Sequence, residues 1–196
     1  MQIFDSHAHY DSNAFRADCG EVLAALPEKG VCCVVNCGSS MEGSYESAVL
    51  AERRPHVYAA VGIHPGDLKD APADWLRQVE ALLARPKVVA VGEIGLDYYW
   101  KENAPREEQQ AAFAAQLELA AAHKLSVVIH DREAHGDTME LLRKYRPPGV
   151  LHRFSGSVDM MREAVPLGLR VRLGGSVPVQ DPRPPVDVAR QAPPRP

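Results

Sequence analysis

Seven short apolar runs alternate with amphipathic helical patterns along this chain. The runs cover residues 2–7, 31–36, 57–63, 88–94, 125–130, 150–154 and 169–173. Continuous apolar runs of this length are typical of strands buried on both faces of a parallel sheet. The helical patterns between them would supply right-handed crossover connections. The alternation therefore predicts an α/β fold with parallel strands.

Two parallel architectures compete, an open doubly wound sheet and a (β/α)8 barrel. No Gly-x-Gly-x-x-Gly turn follows the first run, so the nucleotide-binding form of the open sheet has no support. Polar residues follow several different runs, and barrel enzymes assemble their chemistry at the carboxyl ends of their strands. We therefore predict a TIM-type (β/α)8 barrel. With seven runs found, and 196 residues against the ~250 typical of this fold, we expect it to be incomplete at its C-terminal end.

Proline marks the last part of the chain. Seven of the final twenty residues are proline, a density that disfavours both helix interiors and strands. We therefore predict an incomplete barrel domain over residues 1–176 and a proline-rich tail over residues 177–196. The tail would cover a weak last helix and would be frayed.

Charge and composition restrict the cellular setting and the partners. A net charge of -4 argues against bulk electrostatic attraction to nucleic acid, so a polyanionic substrate would have to be held by metal ions and a few local Arg or Lys residues. The four cysteines are interpreted as small core residues rather than a disulfide framework. With no signal segment and no membrane-spanning run, we expect a cytoplasmic protein without a membrane partner, and no stable protein partner is implied.

A pair of histidines follows the first apolar run. His7 and His9 are two residues apart, so on a strand they face the same way and can bind one metal ion together. Asp5 has the same parity and is a candidate acceptor that would fix an imidazole tautomer. Neither assignment is unique, because a His-x-His pair is also compatible with structural histidines and Asp5 with a buried, hydrogen-bonded acid.

Other apolar runs end at histidine or glutamate, residue types that commonly bind metals. Glu93 follows a very apolar stretch, where an unpaired acid would be costly, and its two oxygens could bridge two divalent ions. His130 and His152 each end a run and could approach a second ion, whereas His64 could contact substrate or orient a ligand. Mixed imidazole and carboxylate ligands suit Zn, Mn, Co or Ni, and with more water Mg. The residues therefore predict a metal-dependent hydrolase, with a buried salt bridge as the alternative role of Glu93.

Residues near these runs could bind a phosphate or a base. Arg132 is placed to fork onto a phosphate, with a surface ion pair as an equally acceptable role. Tyr98, Tyr99 and Trp100 could stack on bases, although an aromatic lid against the helix ends is the more common arrangement.

Five ordered segments of the chain resemble the TatD family of metal-dependent deoxyribonucleases. They are Asp-Ser-His-Ala-His at 5–9, Gly-Ile-His-Pro at 62–65, Gly-Glu-Ile-Gly-Leu-Asp-Tyr at 92–98, Val-Ile-His-Asp-Arg-Glu-Ala at 128–134 and His-Arg-Phe-Ser-Gly at 152–156. The resemblance implies a barrel of the amidohydrolase type that cleaves DNA phosphodiester bonds with a water activated by two divalent ions. It also implies that His7 and His9 bind the first ion, Glu93 bridges both ions, and His130 and His152 bind the second.

Two departures from the family pattern affect the expected activity. Arg153 replaces the Cys that usually follows the last histidine, and its charge could repel a metal or bind a phosphate. The Asp that ends the family's eighth strand, and that binds the first metal, has no counterpart here. Three hypotheses therefore remain open: a deoxyribonuclease, a hydrolase of another ester such as an aminoacyl-tRNA or a small phosphoester, and a truncated metal-binding remnant with little activity.

Overall fold

The structure is a computed structural model that describes residues 2–174 and 183–192. Its strands are β1 (Ile3–Ala8), β2 (Val31–Cys37), β3 (Val57–Val61), β4 (Val88–Asp97), β5 (Ser126–Arg132), β6 (Gly149–Leu151) and β7 (Leu169–Val171). Its α-helices are α1 (Cys19–Ala25), α2 (Met41–Arg53), α3 (Trp75–Leu83), α4 (Arg106–His123), α5 (His135–Tyr145), α6 (Val158–Ala164) and α7 (Arg183–Gln191). Short 3₁₀ helices cover Asn13–Phe15, Leu68–Asp70 and Val165–Leu167.

The strands form one parallel sheet in sequential order from β1 to β7. The sheet is curled, as contacts between side chains from its two ends show. Arg172, directly after β7, donates to the carboxylate of Asp5 on β1 at 2.9 Å. The His7 ring, also on β1, stacks on the His152 ring after β6 with 3.4 Å between centroids. The predicted barrel-type α/β fold is confirmed, and within the described residues no strand joins β1 to β7.

Helix α4 packs against the centre of the sheet, at β4. Pro105 stands immediately before its first turn, and Glu107 and Glu108 lie in that turn, where acidic side chains complement the helix dipole. Phe113 and Leu117, one turn apart, are completely buried. The sequence predicts a helix from Pro105, a favoured first-turn residue, to about His123, because Phe113, Leu117 and Ala120 form an apolar stripe. The structure has this helix over Arg106–His123.

Several strand ends differ from the ends of the apolar runs. Strands β6 and β7 contain three residues each and end before the runs 150–154 and 169–173 do. Arg153 has a φ of 45°, a left-handed conformation that a strand cannot contain. Strand β4 instead continues to Asp97, so Glu93 lies inside a strand rather than at its end. The difference matters because both acids then belong to one rigid element.

The proline-rich tail is described only in part. The predicted boundary between residues 176 and 177 lies outside the described residues. Helix α7 has Pro184 and Pro185 in its first turn, where a missing backbone N–H costs no intrahelical hydrogen bond. Val188 is completely buried in the core, so this stretch packs as a helix rather than fraying.

In the described part of the chain, no helix combines the length and the apolar character needed to cross a membrane.

Candidate metal centre

The carboxyl ends of the strands bring the predicted ligands together. His7 lies near the end of β1 and His9 just beyond it, Glu93 lies on β4, and His130 lies on β5. His7 and Glu93 are buried, with 7% and 4% of their surfaces exposed. A buried acid among imidazoles, at the strand ends of a parallel sheet, is the arrangement in which barrel enzymes place their chemistry.

His7, His9 and Glu93 form the first group. Nε2 of His7 lies 2.8 Å from Glu93 Oε2, and Nε2 of His9 lies 3.2 Å from the same oxygen. One ligand atom from each of the three side chains falls within 4.8 Å of the others. Three side chains at this spacing can hold one divalent ion.

The hydrogen bonding of His9 tests whether a cation fits this group. Its Nδ1 lies 2.7 Å from the carbonyl oxygen of Cys37, which can only accept, so Nδ1 carries a proton. In the neutral ring Nε2 then has only a lone pair, and this lone pair faces the Glu93 carboxylate. Two acceptors 3.2 Å apart need a positive charge between them, either a second proton or a metal ion. The residues therefore fit a metal site.

The pKa of His9 is consistent with this need for positive charge beside Glu93. Burial opposes protonation, but the adjacent Glu93 carboxylate outweighs it and raises the pKa of the His9 imidazole. The bond from Nδ1 to a backbone carbonyl is also the arrangement that orients metal-binding histidines.

His64, Asp97 and His130 form a second group. Their ligand atoms again lie within 4.8 Å of one another. Nε2 of His130 lies 3.0 Å from Asp97 Oδ2, and the His64 ring meets the His130 ring edge-on with 4.3 Å between centroids. Burial and the neighbouring His130 lower the pKa of His64 to about 4, so His64 is neutral at pH 7.

Glu93 connects the two groups. Its Oε2 faces His7 and His9, whereas its Oε1 lies 3.3 Å from Nδ1 of His130. Burial would raise the pKa of the Glu93 carboxyl, but its contacts with the imidazoles, that of His130 first, hold the pKa well below the usual range. The same contact overcomes burial and raises the pKa of His130. One ionised carboxylate thus offers an oxygen to each group.

His152 belongs to neither group within the described residues. Its ring stacks on His7, and its Nδ1 lies 3.4 Å from a guanidinium nitrogen of Arg172. Burial, with His7 as the next cause, lowers the pKa of His152 to about 3. His152 is therefore a neutral imidazole whose ring lies against His7 of the first group.

Comparison with known proteins agrees with this geometry. The family model described as TatD related DNase matches residues 4–195. The chain belongs to this family. It is a metal-dependent hydrolase.

Individual TatD-family relatives match most of the chain. The uncharacterized metal-dependent hydrolase YabD of Bacillus subtilis is 31% identical over 194 residues, which are 97% of this chain and 76% of that protein. The 3′-5′ ssDNA/RNA exonuclease TatD of Dickeya dadantii is 34% identical over 179 residues, 89% of this chain and 67% of that protein. The crystal structure of YjjV, the TatD homolog from Escherichia coli K12, superposes with a TM-score of 0.90 at 33% identity, covering 97% of this chain and 75% of that chain.

Asp97 is one of the site residues to which the sequence assigns no role. It lies in the segment 92–98, which resembles the TatD family. Asp97 is 2% exposed, and it lies four residues after Glu93 on the same strand, so both side chains have the same parity. This parity, and the presence of a second acid in an apolar strand, could have identified Asp97 as a site residue.

Two glutamines of α4 form hydrogen bonds with backbone groups at the end of β4 and just after β3. The amide of Gln109 accepts from the backbone N–H of Asp97 at 2.9 Å and donates to its carbonyl at 3.1 Å. Gln116, seven residues later on the same helix face, makes the same two contacts with Ile63, the residue before His64. The sequence interpretation missed both roles, because Gln is usually a surface residue.

The hydrogen-bond partners of Asp5 are not the imidazole that the sequence predicts. Its carboxylate accepts from the backbone N–H of His7 at 3.2 Å and from Arg172 at 2.9 Å. No hydrogen bond to an imidazole is found for it among the described residues. Asp5 therefore orients the backbone of His7 and anchors a guanidinium that also reaches His152.

The two arginines suggested for substrate binding lie at the ends of two neighbouring strands, β5 and β6. Arg132 ends β5, is exposed, and places its guanidinium over the Tyr99 ring, 3.8 Å from the centroid. Arg153 follows β6 and is also exposed. Neither is a member of the two ligand groups.

Proposed function

We propose that this chain hydrolyses phosphodiester bonds of nucleic acid, with single-stranded DNA as its main substrate. The proposal places two divalent ions on five side chains: His7, His9, Glu93, His130 and His152. Divalent ions at such a site supply an activated water and the positive charge that stabilises the attacking and leaving oxygens.

The position of Glu93 carries the proposal. Its two oxygens face different imidazoles, since Oε2 lies 2.8 Å from His7 and Oε1 lies 3.3 Å from His130. A carboxylate shared in this way could hold two divalent ions together, and such ions would supply the positive charge that phosphodiester hydrolysis uses. Asp97 is a further ligand candidate beside His130, at 3.0 Å.

Neighbouring residues orient the ligands and the substrate. The Cys37 carbonyl fixes the ring of His9, and Asp97 fixes the ring of His130. Nδ1 of His64 accepts from the backbone N–H of Gly66 at 3.0 Å, so the neutral ring carries its proton on Nε2. We propose that this N–H donates to a substrate oxygen.

The substrate assignment draws on charge and on the relatives. Arg132 and Arg153 offer guanidinium groups near the strand ends, in a chain whose net charge is -4. A guanidinium matches the oxygens of a phosphate. The Dickeya dadantii relative bears the name 3′-5′ ssDNA/RNA exonuclease, which supports single-stranded nucleic acid as the substrate class.

The test is hydrolysis of end-labelled single-stranded DNA by purified protein supplied separately with Mn, Mg, Zn, Co or Ni. Shortening of the DNA by single nucleotides, stopped by a chelator, is expected. Glu93→Gln should reduce the rate by more than the ~10–100-fold that is typical when only a partner of a ligand is lost.

A matched control separates the site from general effects of charge removal. Glu46→Gln on α2 makes the same substitution away from both ligand groups and should leave the rate unchanged. RNA, an aminoacyl ester and a small phosphoester are tested in parallel. If only one of the esters is cleaved, in a Glu93-dependent manner, the nuclease assignment is wrong; if nothing is cleaved with any metal, the hydrolytic proposal fails for this chain.

A further inference from the structure

Two large aromatic rings are exposed beside the metal centre. Tyr99 and Trp100 follow β4 and have 45% and 47% of their surfaces exposed. Their rings meet edge-to-face, with centroids 4.7 Å apart and an interplanar angle of 89°. The Arg132 guanidinium lies 3.8 Å from the Tyr99 centroid and 5.4 Å from that of Trp100. We call these three side chains the stacking cluster.

The neighbouring Tyr98 shows what a structural aromatic looks like in this loop. Its hydroxyl donates to Asp137 at 2.8 Å and accepts from Gln110 at 2.9 Å, and Arg106 covers its ring at 4.3 Å. By contrast, in the described part of the chain no hydrogen bond engages the Tyr99 hydroxyl or the Trp100 indole N–H. Tyr98 is fixed by these contacts, whereas Tyr99 and Trp100, within the described residues, keep free polar groups and nearly half of their surfaces exposed.

Asp97 ties the stacking cluster to the ligand groups. Its Oδ1 accepts the backbone N–H groups of Tyr99 at 3.0 Å and of Trp100 at 3.4 Å. Its Oδ2 faces Nε2 of His130 at 3.0 Å. The rings are therefore held by the same carboxylate that orients a candidate ligand, and Arg132 is two residues from His130 on the same strand.

The charge of Arg132 is also available. Among the described residues it forms no ion pair, and its side chain is exposed. A planar cation that lies over one ring can contact a base through its other face and a phosphate through its edge. This combination suits a nucleotide better than a bare phosphate.

We propose that the stacking cluster binds an unpaired base of the nucleotide next to the scissile phosphate, and that it selects single strands over duplexes. Every base presents a π face, so stacking tolerates any sequence. The bases of a duplex are already stacked on one another and are not open to a protein ring. The inference rests on the proposed function for the position of the scissile phosphate, but the stacking itself requires no hydrolysis.

The first test is binding without turnover. The chain has two tryptophans, so a Trp75→Phe background leaves Trp100 as the fluorescent reporter. In chelator, a ten-residue oligo-dT should quench this fluorescence. An abasic deoxyribose-phosphate oligomer of equal length should bind about 5–150-fold more weakly, the factor that corresponds to one stacked base.

Substitutions assign the effect to the stacking cluster. Measured by anisotropy of labelled oligomers, Trp100→Ala should weaken oligo-dT binding by a similar factor while leaving abasic binding unchanged, and Trp100→Phe should retain most of the preference. Arg132→Lys keeps the charge but loses the planar group, so it should fall between them. Tyr45→Ala is the matched control: Tyr45 is 57% exposed and also lies under an arginine, Arg85, which precedes β4 at the opposite end of the strands.

The outcomes separate the two proposals. Equal affinity for oligo-dT and abasic oligomer, or an unchanged preference in Trp100→Ala, overturns the stacking proposal. Glu93→Gln should keep the base preference while losing turnover. If no oligomer is hydrolysed but the preference is present and depends on Trp100, the nuclease proposal fails and the stacking proposal stands.

Discussion

Gln116 holds Ile63 by both of its backbone groups. Oε1 of Gln116 accepts the Ile63 N–H at 2.8 Å, and Nε2 donates to the Ile63 carbonyl at 3.1 Å. Gln116 is 1% exposed, so these contacts exclude water. Because His64 is the next residue, one buried amide on α4 determines where that imidazole lies.

Gln116→Leu should destabilise the protein by about 2–5 kcal/mol, because it leaves a buried N–H and a buried carbonyl of Ile63 without partners. Urea unfolding followed by circular dichroism measures this difference. Gln78→Leu is the control, since the Gln78 side chain, on α3, donates to the nearby carboxylate of Asp74 rather than to backbone groups of a strand. A cost for Gln116→Leu no larger than that of the control would show that the backbone contacts of Gln116 do not stabilise the fold.

Two glycine-to-alanine substitutions should have opposite effects. Gly95 has a φ of 140°, and a Cβ there would lie 1.9 Å from the backbone oxygen of His130. Gly95→Ala should therefore cost at least about 2 kcal/mol by forcing β4 away from β5. At Gly136, on α5, an added Cβ would meet no described atom within 4 Å outside the neighbouring residues and the backbone of its own helix, so Gly136→Ala should be neutral or stabilise by up to about 1 kcal/mol. Thermal unfolding of both variants checks the signs; destabilisation by Gly136→Ala would contradict the argument.

His135 should make stability depend on pH. Nδ1 of His135 lies 2.7 Å from Asp131, and this contact raises the pKa of the imidazole despite partial burial. A raised folded pKa means that protonation favours the folded state. The stabilisation is complete below the unfolded value of about 6.5 and disappears as the pH rises through the folded value.

The difference in unfolding free energy between the wild type and His135→Ala should accordingly be larger at pH 5.5 than at pH 8.5. An NMR titration of the His135 ring should give a midpoint above that of a model peptide. A free-energy difference that does not change with pH would show that the contact with Asp131 does not favour the charged ring.

Divalent metal should raise the melting temperature of protein first treated with a chelator. At a free ion concentration of about 100 times Kd, binding to the folded state adds about 2.7 kcal/mol. For a chain of this size that corresponds to roughly 5–11 °C. Differential scanning fluorimetry with Mn and Zn measures the shift.

His9→Ala should remove most of this shift, since it deletes one member of the first ligand group. His123→Ala is the matched control, because His123 also faces a carboxylate, that of Glu80 at 3.2 Å, but on the surface. An equal metal shift in both variants would place the ion elsewhere.

Much of the fold follows from local pattern. Strands buried on both faces produce continuous apolar runs, so all seven strands were predicted in order, and the length of α4 was predicted from its stripe and its leading Pro105. The end of β6 was not predicted, because the left-handed conformation of Arg153 depends on tertiary packing and leaves no mark on the hydrophobicity pattern.

Only part of the candidate site could be predicted, because some of its contacts also depend on tertiary packing. His7, His9, Glu93 and His130 are conspicuous because each ends or interrupts an apolar run, and the structure brings all four together. The stack of His152 on His7, by contrast, depends on the curl of the sheet, which brings the end of β6 against β1. Such relations between distant strands cannot be inferred from the neighbours of each residue in sequence.

Asp97 holds the loop after β4 through backbone N–H groups and not through the side chains of Tyr99 and Trp100. Substitutions at positions 99 and 100 therefore leave the anchor of His130 intact. Ligand preference can diverge at these two positions while the hydrolytic machinery stays under separate selection. Libraries that randomise only these positions should yield altered specificity without loss of folding, which makes this loop the natural entry point for redesign.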